Sequence, residues 1–408
     1  MIAEAKQVLS GFASRVPSTV LGPERVRYIS EHIHELQTDH RLMLLHLINH
    51  ILAFMIDKQA SDVEIGGFGA QNAVWFRIFG KKERALDMPQ MSEDEASALI
   101  ISILNKSQIT MLLENRNLDF SYTFKYDKIQ KQLRFRCDAY FDLDSLTMNM
   151  RAIQASVRPL ESLEFHPFAV KTMSHNYIKF GLSLITGITG SGKSTTLDAI
   201  IDFHNDFDPS HIVIIASPIE FVHRSKKAII KHREVGRDVP SFKDGVIQSL
   251  RQDPDIIVIG EMRDPETILA ALEVTDTGHK VFSTLHTSSA VESIDRIIAE
   301  VHPNEQERVR NRLADVLISV ISQKLVPSLD GKRALAKEVL IVTPSVRAAI
   351  KNNNTSEIYM MINQGGPQGM VTMEQDLLRL YMEKKISKEN AISYSNNKTR
   401  ILQLMKGS

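Results

Sequence analysis

Residues 181–196 read GLSLITGITGSGKSTT, and this stretch restricts the possible folds more than any other part of the chain. A short apolar run turns into glycines and then into Lys-Ser-Thr. Gly187, Gly192, Lys193 and Ser194 match G-x-x-x-x-G-K-[ST], with a strand-like LSLIT before the motif and a helix-like TTLDAIIDF after it. Glycines allow backbone N–H groups to wrap a phosphate without side chains in the way. The helix that follows points its positive end at that phosphate. The spacing therefore predicts a nucleoside triphosphate held by Gly187, Thr189, Gly190, Ser191, Gly192, Lys193, Ser194 and Thr195. Lys193 would reach the β- and γ-phosphates, and the Ser194 hydroxyl would ligate Mg²⁺.

The chain around the motif continues in the same style. LSLIT, a helix over 194–205, HIVIIA, a helix near 241–251, IIVIGE, a helix over 265–276 and KVFSTL alternate, which predicts a parallel α/β sheet with crossover helices. From about 304 to 408 the pattern reads as mainly helical, with a strand-like KEVLIV interposed. Upstream, residues 58–155 mix strand signals (DVEIGG, AVWFRIFG, LDFSYTF, QLRFRCDAYF, LTMNMRAI) with one helix, SEDEASALIISILNK, which reads as an α+β layer domain. Residues 1–57 read as a helical N-terminal extension that stands apart. QASVRPLESLEFH, 154–166, reads as a linker, with 156–166 separating the smaller domain from an ATPase domain over 167–408.

A chain of 408 residues, 43% hydrophobic and 24% charged, is long enough for two cores and is not a disordered sequence. Lys+Arg and Asp+Glu balance at 49 each, which argues against bulk nucleic-acid binding. A single cysteine, Cys137, excludes an internal disulfide framework and a four-cysteine zinc site. The start, MIAEAKQVLSG, lacks the basic and apolar regions of a signal peptide. The most apolar run, LMLLHLINHILAFMI at 42–56, falls short of the about 20 apolar residues of a membrane span and reads as a buried helix. The expected location is the cytoplasm.

Acidic residues and histidines at strand ends are the next candidates. Glu261 ends strand IIVIG, where phosphate-loop enzymes place a second acid for Mg²⁺ or its water. Asp264 then caps a helix that begins at Pro265. Glu220, in SPIEF after HIVIIA, is either a structural acid or a water-activating base. His279 and His286 flank KVFSTL seven residues apart, so on an ideal strand they face opposite sides and a shared metal is disfavoured. One of them is expected to face the phosphate or the acids. Arg134 and Arg136 share one face of a strand, and Arg151 follows in MNMRAI. They are either solvated strand arginines or groups that reach a neighbouring subunit's site.

GITGSGKSTT, SPIEFVH, DPDIIVIGEMRDPETI and TGHKVFSTLHTSSA occur in this order. Together they resemble the type II/type IV secretion and pilus ATPase superfamily, and most of all its pilus retraction (twitching motility) branch, over about residues 58–400. The resemblance implies a ring hexamer whose subunits pair a PAS-like N-terminal domain with a RecA-like ATPase domain. It gives Lys193 and Ser194 the phosphate-loop roles, Glu220 that of general base and Glu261 that of the Walker B acid. His279 and His286 become the histidine box, and Arg136 and Arg151 become arginines that reach a neighbour's nucleotide.

The resemblance further implies ATP and Mg²⁺ as cofactors and an inner-membrane pilus or secretion platform as partner. Peripheral association with the inner face of the membrane follows from that partner, and no nucleic acid is expected. The family commonly reads Glu-Asp before Pro-Ile-Glu, whereas Ala216-Ser217 stand here. SVRAAI at 345–350 partly matches a helix motif of the retraction branch. The leading expectation is a motor for pilus retraction. A type IV secretion or conjugation ATPase is the alternative, and a nucleic-acid translocase is a weaker one.

Overall fold

The computed structural model describes residues 2–126, 131–153 and 156–407. Residues 154–155 of the expected linker lie outside them. The chain forms two compact units, Met1–Ala155 with Ser217–Phe221, and Ser156–Ala216 with Val222–Ser408.

Among the described residues of the first unit, α1 (Ile2–Ala13), α2 (Gly22–His32) and α3 (Thr38–Asp57) lead into β1 (Ala60–Gly66), β2 (Trp75–Ile78) and β3 (Lys81–Arg84). Then come α4 (Glu93–Ser102), α5 (Lys106–Asn115), β4 (Asn117–Tyr126), β5 (Lys131–Asp142) and β6 (Ser145–Ala152). The strands form one antiparallel sheet of order β3-β2-β1-β6-β5-β4.

α3 buries Leu44, Leu47, Ile48, Ile51, Leu52 and Met55, a spacing that lies on one helical face. α1 buries Ala5, Leu9 and Phe12. These faces join Val63, Phe76, Phe135, Met148 and Met150 in a single core. Residues 1–57 therefore do not stand apart as the sequence suggested. Their apolar faces need a partner, and α3 finds it against β1. α4 starts with a capping box, Ser92 with Glu95, and the same Glu95 accepts from Ser10 of α1 at 2.5 Å. β3 has the sequence Lys-Lys-Glu-Arg, the charged character of a protected sheet edge rather than of a core strand, and so carries no apolar signal.

The second unit holds α6 (Pro167–Met173), β7 (Gly181–Thr186), α7 (Lys193–Phe207), β8 (His211–Ala216), β9 (Ile229–Glu234), α8 (Phe242–Ser249) and β10 (Ile256–Ile259). α9 (Pro265–Asp276), β11 (Lys280–Leu285), α10 (Ala290–Glu300), α11 (Gln306–Val316), β12 (Leu317–Pro327) and β13 (Arg333–Ile341) follow. α12 (Pro344–Lys351), α13 (Ile358–Gln364), α14 (Met373–Met382), α15 (Lys388–Tyr394) and α16 (Lys398–Gly407) complete it.

The sheet order is β13-β12-β7-β11-β10-β8-β9, parallel except that β13 runs antiparallel to β12. β7, β10 and β11 are buried along their whole length, as parallel strands covered on both faces must be. The sheet is therefore mixed, and the mainly helical reading beyond 304 needs correction. β12 carries no boundary signal in the sequence, because α11 runs directly into it at Val316-Leu317 with no glycine or proline between them. The helices that follow pack on this hairpin, with Val326 and Ala336 joining Met373, Leu377, Leu380 and Ile401.

Candidate active site

The loop between β7 and α7 is shaped by its glycines. Gly187 has φ +147°, and an added Cβ would lie 2.3 Å from Ser191 Oγ and 2.6 Å from the Gln323 carbonyl of β12. No other residue type fits there without moving backbone. Gly192, at φ +90°, is the N-cap of α7, so Lys193 and Ser194 open the helix. Thr189, Gly190 and Ser194 are exposed, and Thr195 is half-buried. The Ser191 hydroxyl is buried and has no hydrogen-bond partner among the described residues. A buried orphan hydroxyl inside a glycine cradle at a helix N-terminus is the chemistry of an anion cradle, so the loop fits a nucleotide's phosphates.

Lys193 is buried, and its Nζ donates to the carbonyls of Gly187 (2.7 Å) and Ile188 (3.1 Å). It also lies 3.4 Å from His286 Nδ1. His286 Nε2 in turn stands 3.0 Å from Glu261 Oε1. One assignment satisfies both contacts: Nε2–H donates to the carboxylate, and Nδ1 accepts from the lysine. Glu261 Oε2 is met at 2.8 Å by Arg263 Nη2. The imidazole thus joins the phosphate-loop lysine to the acid at the end of β10.

The strand ends dictate this meeting. The order β7-β11-β10-β8 puts the phosphate loop, His286, Glu261 and Ala216 at the carboxyl edge of neighbouring parallel strands, where such sheets bind ligands. Thr284 Oγ1 holds the Gly260 carbonyl at 2.6 Å, and Gly260 N donates to Ile215 O at 2.8 Å, which fixes the turn that presents Glu261. Asp264 caps α9 through Thr267 N at 2.7 Å, as the Asp-Pro pair predicted. Ser194 and Glu261 offer a hydroxyl and a carboxylate, hard oxygen donors of the kind Mg²⁺ takes.

The other expected residues lie elsewhere. His279 sits at the amino end of β11, about 23 Å from His286 at ~3.3 Å per residue. Its Nδ1 approaches Thr277 Oγ1 (3.0 Å) and the Val274 carbonyl (3.1 Å). Within this chain it does not face the phosphate loop.

Glu220 lies in the Ser217–Phe221 segment of the first unit. There Arg134 Nε donates to the Ile219 carbonyl at 2.6 Å, and Arg136 Nη1 stands 3.8 Å from Glu220 Oε1. Arg136 also meets Asp119 at 3.3 Å. Arg151, opposite Arg136 in the β5–β6 register, donates to buried Asp62 at 2.7 Å. Sequence reasoning missed Arg263, whose only signal was a cation two residues beyond the strand-end acid. It also missed Gln323, which sits in the overlooked β12. Its side chain donates to Thr196 of α7 at 2.7 Å.

A glycine cradle, a helix-opening lysine and a strand-end acid on one edge of a mostly parallel sheet define the class, a phosphate-loop ATPase. The chain belongs to the family described as type II/IV secretion system protein, which it matches over residues 37–405. It is 39% identical to the type IV pilus retraction ATPase PilT of Pseudomonas aeruginosa, covering 84% of this chain and 96% of that one. It is 38% identical to the twitching motility protein of Neisseria gonorrhoeae, over 79% of this chain and 84% of the relative.

Among solved structures, the pilus retraction motor PilT with bound ADP superposes with a TM-score of 0.75 at 35% identity, covering 86% of this chain and 98% of that one. The Legionella pneumophila ATPase DotB superposes at 0.74 with 27% identity, covering 88% and 95%. The mixed sheet and its helices are consistent with a RecA-like ATPase, and the family match begins within the N-terminal helices, upstream of the expected start near residue 58.

Proposed function

We propose that this protein is a Mg²⁺-dependent ATPase motor that drives type IV pilus retraction. The observation that carries the reading is the continuous contact Lys193–His286–Glu261, found in a chain that superposes on a pilus retraction motor. In this reading Gly187 to Thr195 wrap the phosphates, and Lys193 turns from its loop carbonyls to the γ-phosphate. Ser194 and Glu261 hold Mg²⁺, which would neutralise charge on the phosphate oxygens. Glu220 orients the attacking water and takes its proton. As the new P–O bond forms, the bond to ADP breaks. His286 reports the state of the phosphate loop to Glu261 through its two ring nitrogens.

Arg136 and Arg151 serve a neighbouring subunit's nucleotide in a homohexamer, leaving their partners Asp119 and Asp62 to do so. His279 remains the first histidine of its box, with a role at the amino end of β11. The first unit acts as the PAS-like domain and the second as the RecA-like one. The ring works in the cytoplasm, at the inner face of the membrane, on an inner-membrane platform protein, with peripheral membrane association and without nucleic acid.

A host strain lacking the gene tests this reading. Loss of twitching with pili retained, rescued by the wild-type gene and not by Lys193→Ala, is the expected result. Normal twitching in the deletion strain would refute it. Ala216-Ser217 in place of an acidic pair favours a secretion ATPase as the second reading, and loss of secretion with intact twitching would select it.

A further inference from the structure

Beyond Phe221 the chain runs back along α7, the helix that the phosphate loop opens. His223, its side chain fully buried, places Nε2 3.1 Å from Asp198 Oδ1 and Nδ1 4.0 Å from Asp202 Oδ1. Its backbone N donates to His232 Nε2 of β9 at 3.0 Å. Next, Asn205 Nδ2 donates to the Arg224 carbonyl (2.8 Å), and Asn205 Oδ1 accepts from Lys226 N (2.9 Å). Lys227 N donates to the Asn205 carbonyl at 2.9 Å. Lys226 Nζ meets Asp202 and Asp206, both at 2.9 Å. Residues 198, 202, 205 and 206 share one face of α7, so the returning segment is strapped along the helix.

A helix moves as a rod, and Asp198 is only about 7.5 Å along α7 from Lys193 at 1.5 Å per residue. Glu220 lies three residues before His223, a reach of at most about 10 Å. On its other side Ala216, the last residue of β8, is four residues away. We infer that His223 and Asp198 are positioning residues, which fasten the segment carrying Glu220 to the helix of the phosphate loop. A displacement of α7 by the phosphates is then passed to Glu220. This inference rests on Glu220 as the base. The Lys226 pairs are solvent-exposed and contribute little, whereas the buried His223–Asp198 bond gives the strap its register. Neither residue touches substrate.

The test is steady-state ATP turnover of the full chain carrying His223→Ala or Asp198→Ala, with ATP affinity and thermal melting read on the same samples. A misplacement of about 1 Å costs up to 10²-fold in rate, so kcat is expected to fall roughly 10- to 100-fold while KM and ATP affinity stay within about threefold. His223→Gln and Asp198→Asn, which keep a hydrogen-bonding group in place, are expected to recover most of the rate. Added to Glu220→Gln, either alanine change should cost nothing further.

Unchanged kcat in both alanine variants, with Glu220→Gln inactive, overturns the strap and leaves the base assignment standing. An equal further loss in the Glu220→Gln background also overturns it. Full turnover in Glu220→Gln overturns the base, and the inference falls with it. If His223→Ala does not fold, Asp198→Ala carries the test, since that side chain is 24% exposed.

Discussion

His286 bridges Lys193 and Glu261 with its two ring nitrogens. Removing it leaves the lysine tied to its loop carbonyls and the acid paired with Arg263. His286→Ala is therefore expected to lower kcat for ATP by ~10²-fold, with nucleotide affinity changed by less than about threefold. Stopped-flow binding beside steady-state turnover reads both quantities. A different residue-scale effect is expected at Arg151. Asp62 is only 4% exposed on its side chain and takes its short contact from Arg151, with Arg77 at 3.8 Å. Arg151→Ala should destabilise the first unit by about 1–3 kcal/mol, measured by urea unfolding, because it strips a buried carboxylate of its closest cation and leaves it the Ser61 hydroxyl at 2.6 Å. No loss of stability would mean that Arg77 suffices.

At the scale of elements, much of the site could be read in advance where the signal was local. The phosphate loop and α7 follow from glycines and a Lys-Ser pair at fixed spacing, and α9 follows from Asp264-Pro265. Contacts set by strand order were legible only in part. One histidine of the pair was expected to face the phosphate or the acids, but that it is His286, and that it meets Glu261, depends on β10 and β11 being neighbours in the sheet. β12 was hidden by its seamless junction with α11, and Gln323 was hidden with it.

The β12–β13 hairpin also buries a carboxylate. Burial pushes Glu338 of β13 up to about 7 from its ordinary 4.5, while Ala290 N donates to it at 2.8 Å. A raised value means that the folded chain holds this proton more tightly than the unfolded one. The associated stability is fully present below pH 4.5 and is lost as pH rises through about 7. At ~1.4 kcal/mol per pH unit between those values, the loss is roughly 3 kcal/mol. Glu338→Gln keeps an acceptor for Ala290 N and cannot ionise. It should be the more stable protein at pH 8, and urea unfolding across pH 4.5–8 should lose this slope. A less stable variant at pH 8 would contradict the assignment.

At the scale of the whole molecule, the sequence reads as an extension and two domains, and the chain clusters into two units, with Ser217–Phe221 joining the first. The place of residues 1–57 was not legible, because an amphipathic helix does not state what it covers; here α3 packs on β1, and α1 packs on α3 and α4. No helix among the described residues is long and apolar enough to cross a membrane, and α3 spends its apolar face in a core. Ring assembly and turnover belong in one experiment. That experiment is Mg²⁺-ATP turnover of the purified chain beside Lys193→Ala and Glu261→Ala, with particle mass read on the same samples. The account predicts turnover in a six-copy wild-type particle and a loss of at least ~10²-fold in both variants, from the groups that hold the phosphates and the metal. Wild-type turnover in both variants would contradict it.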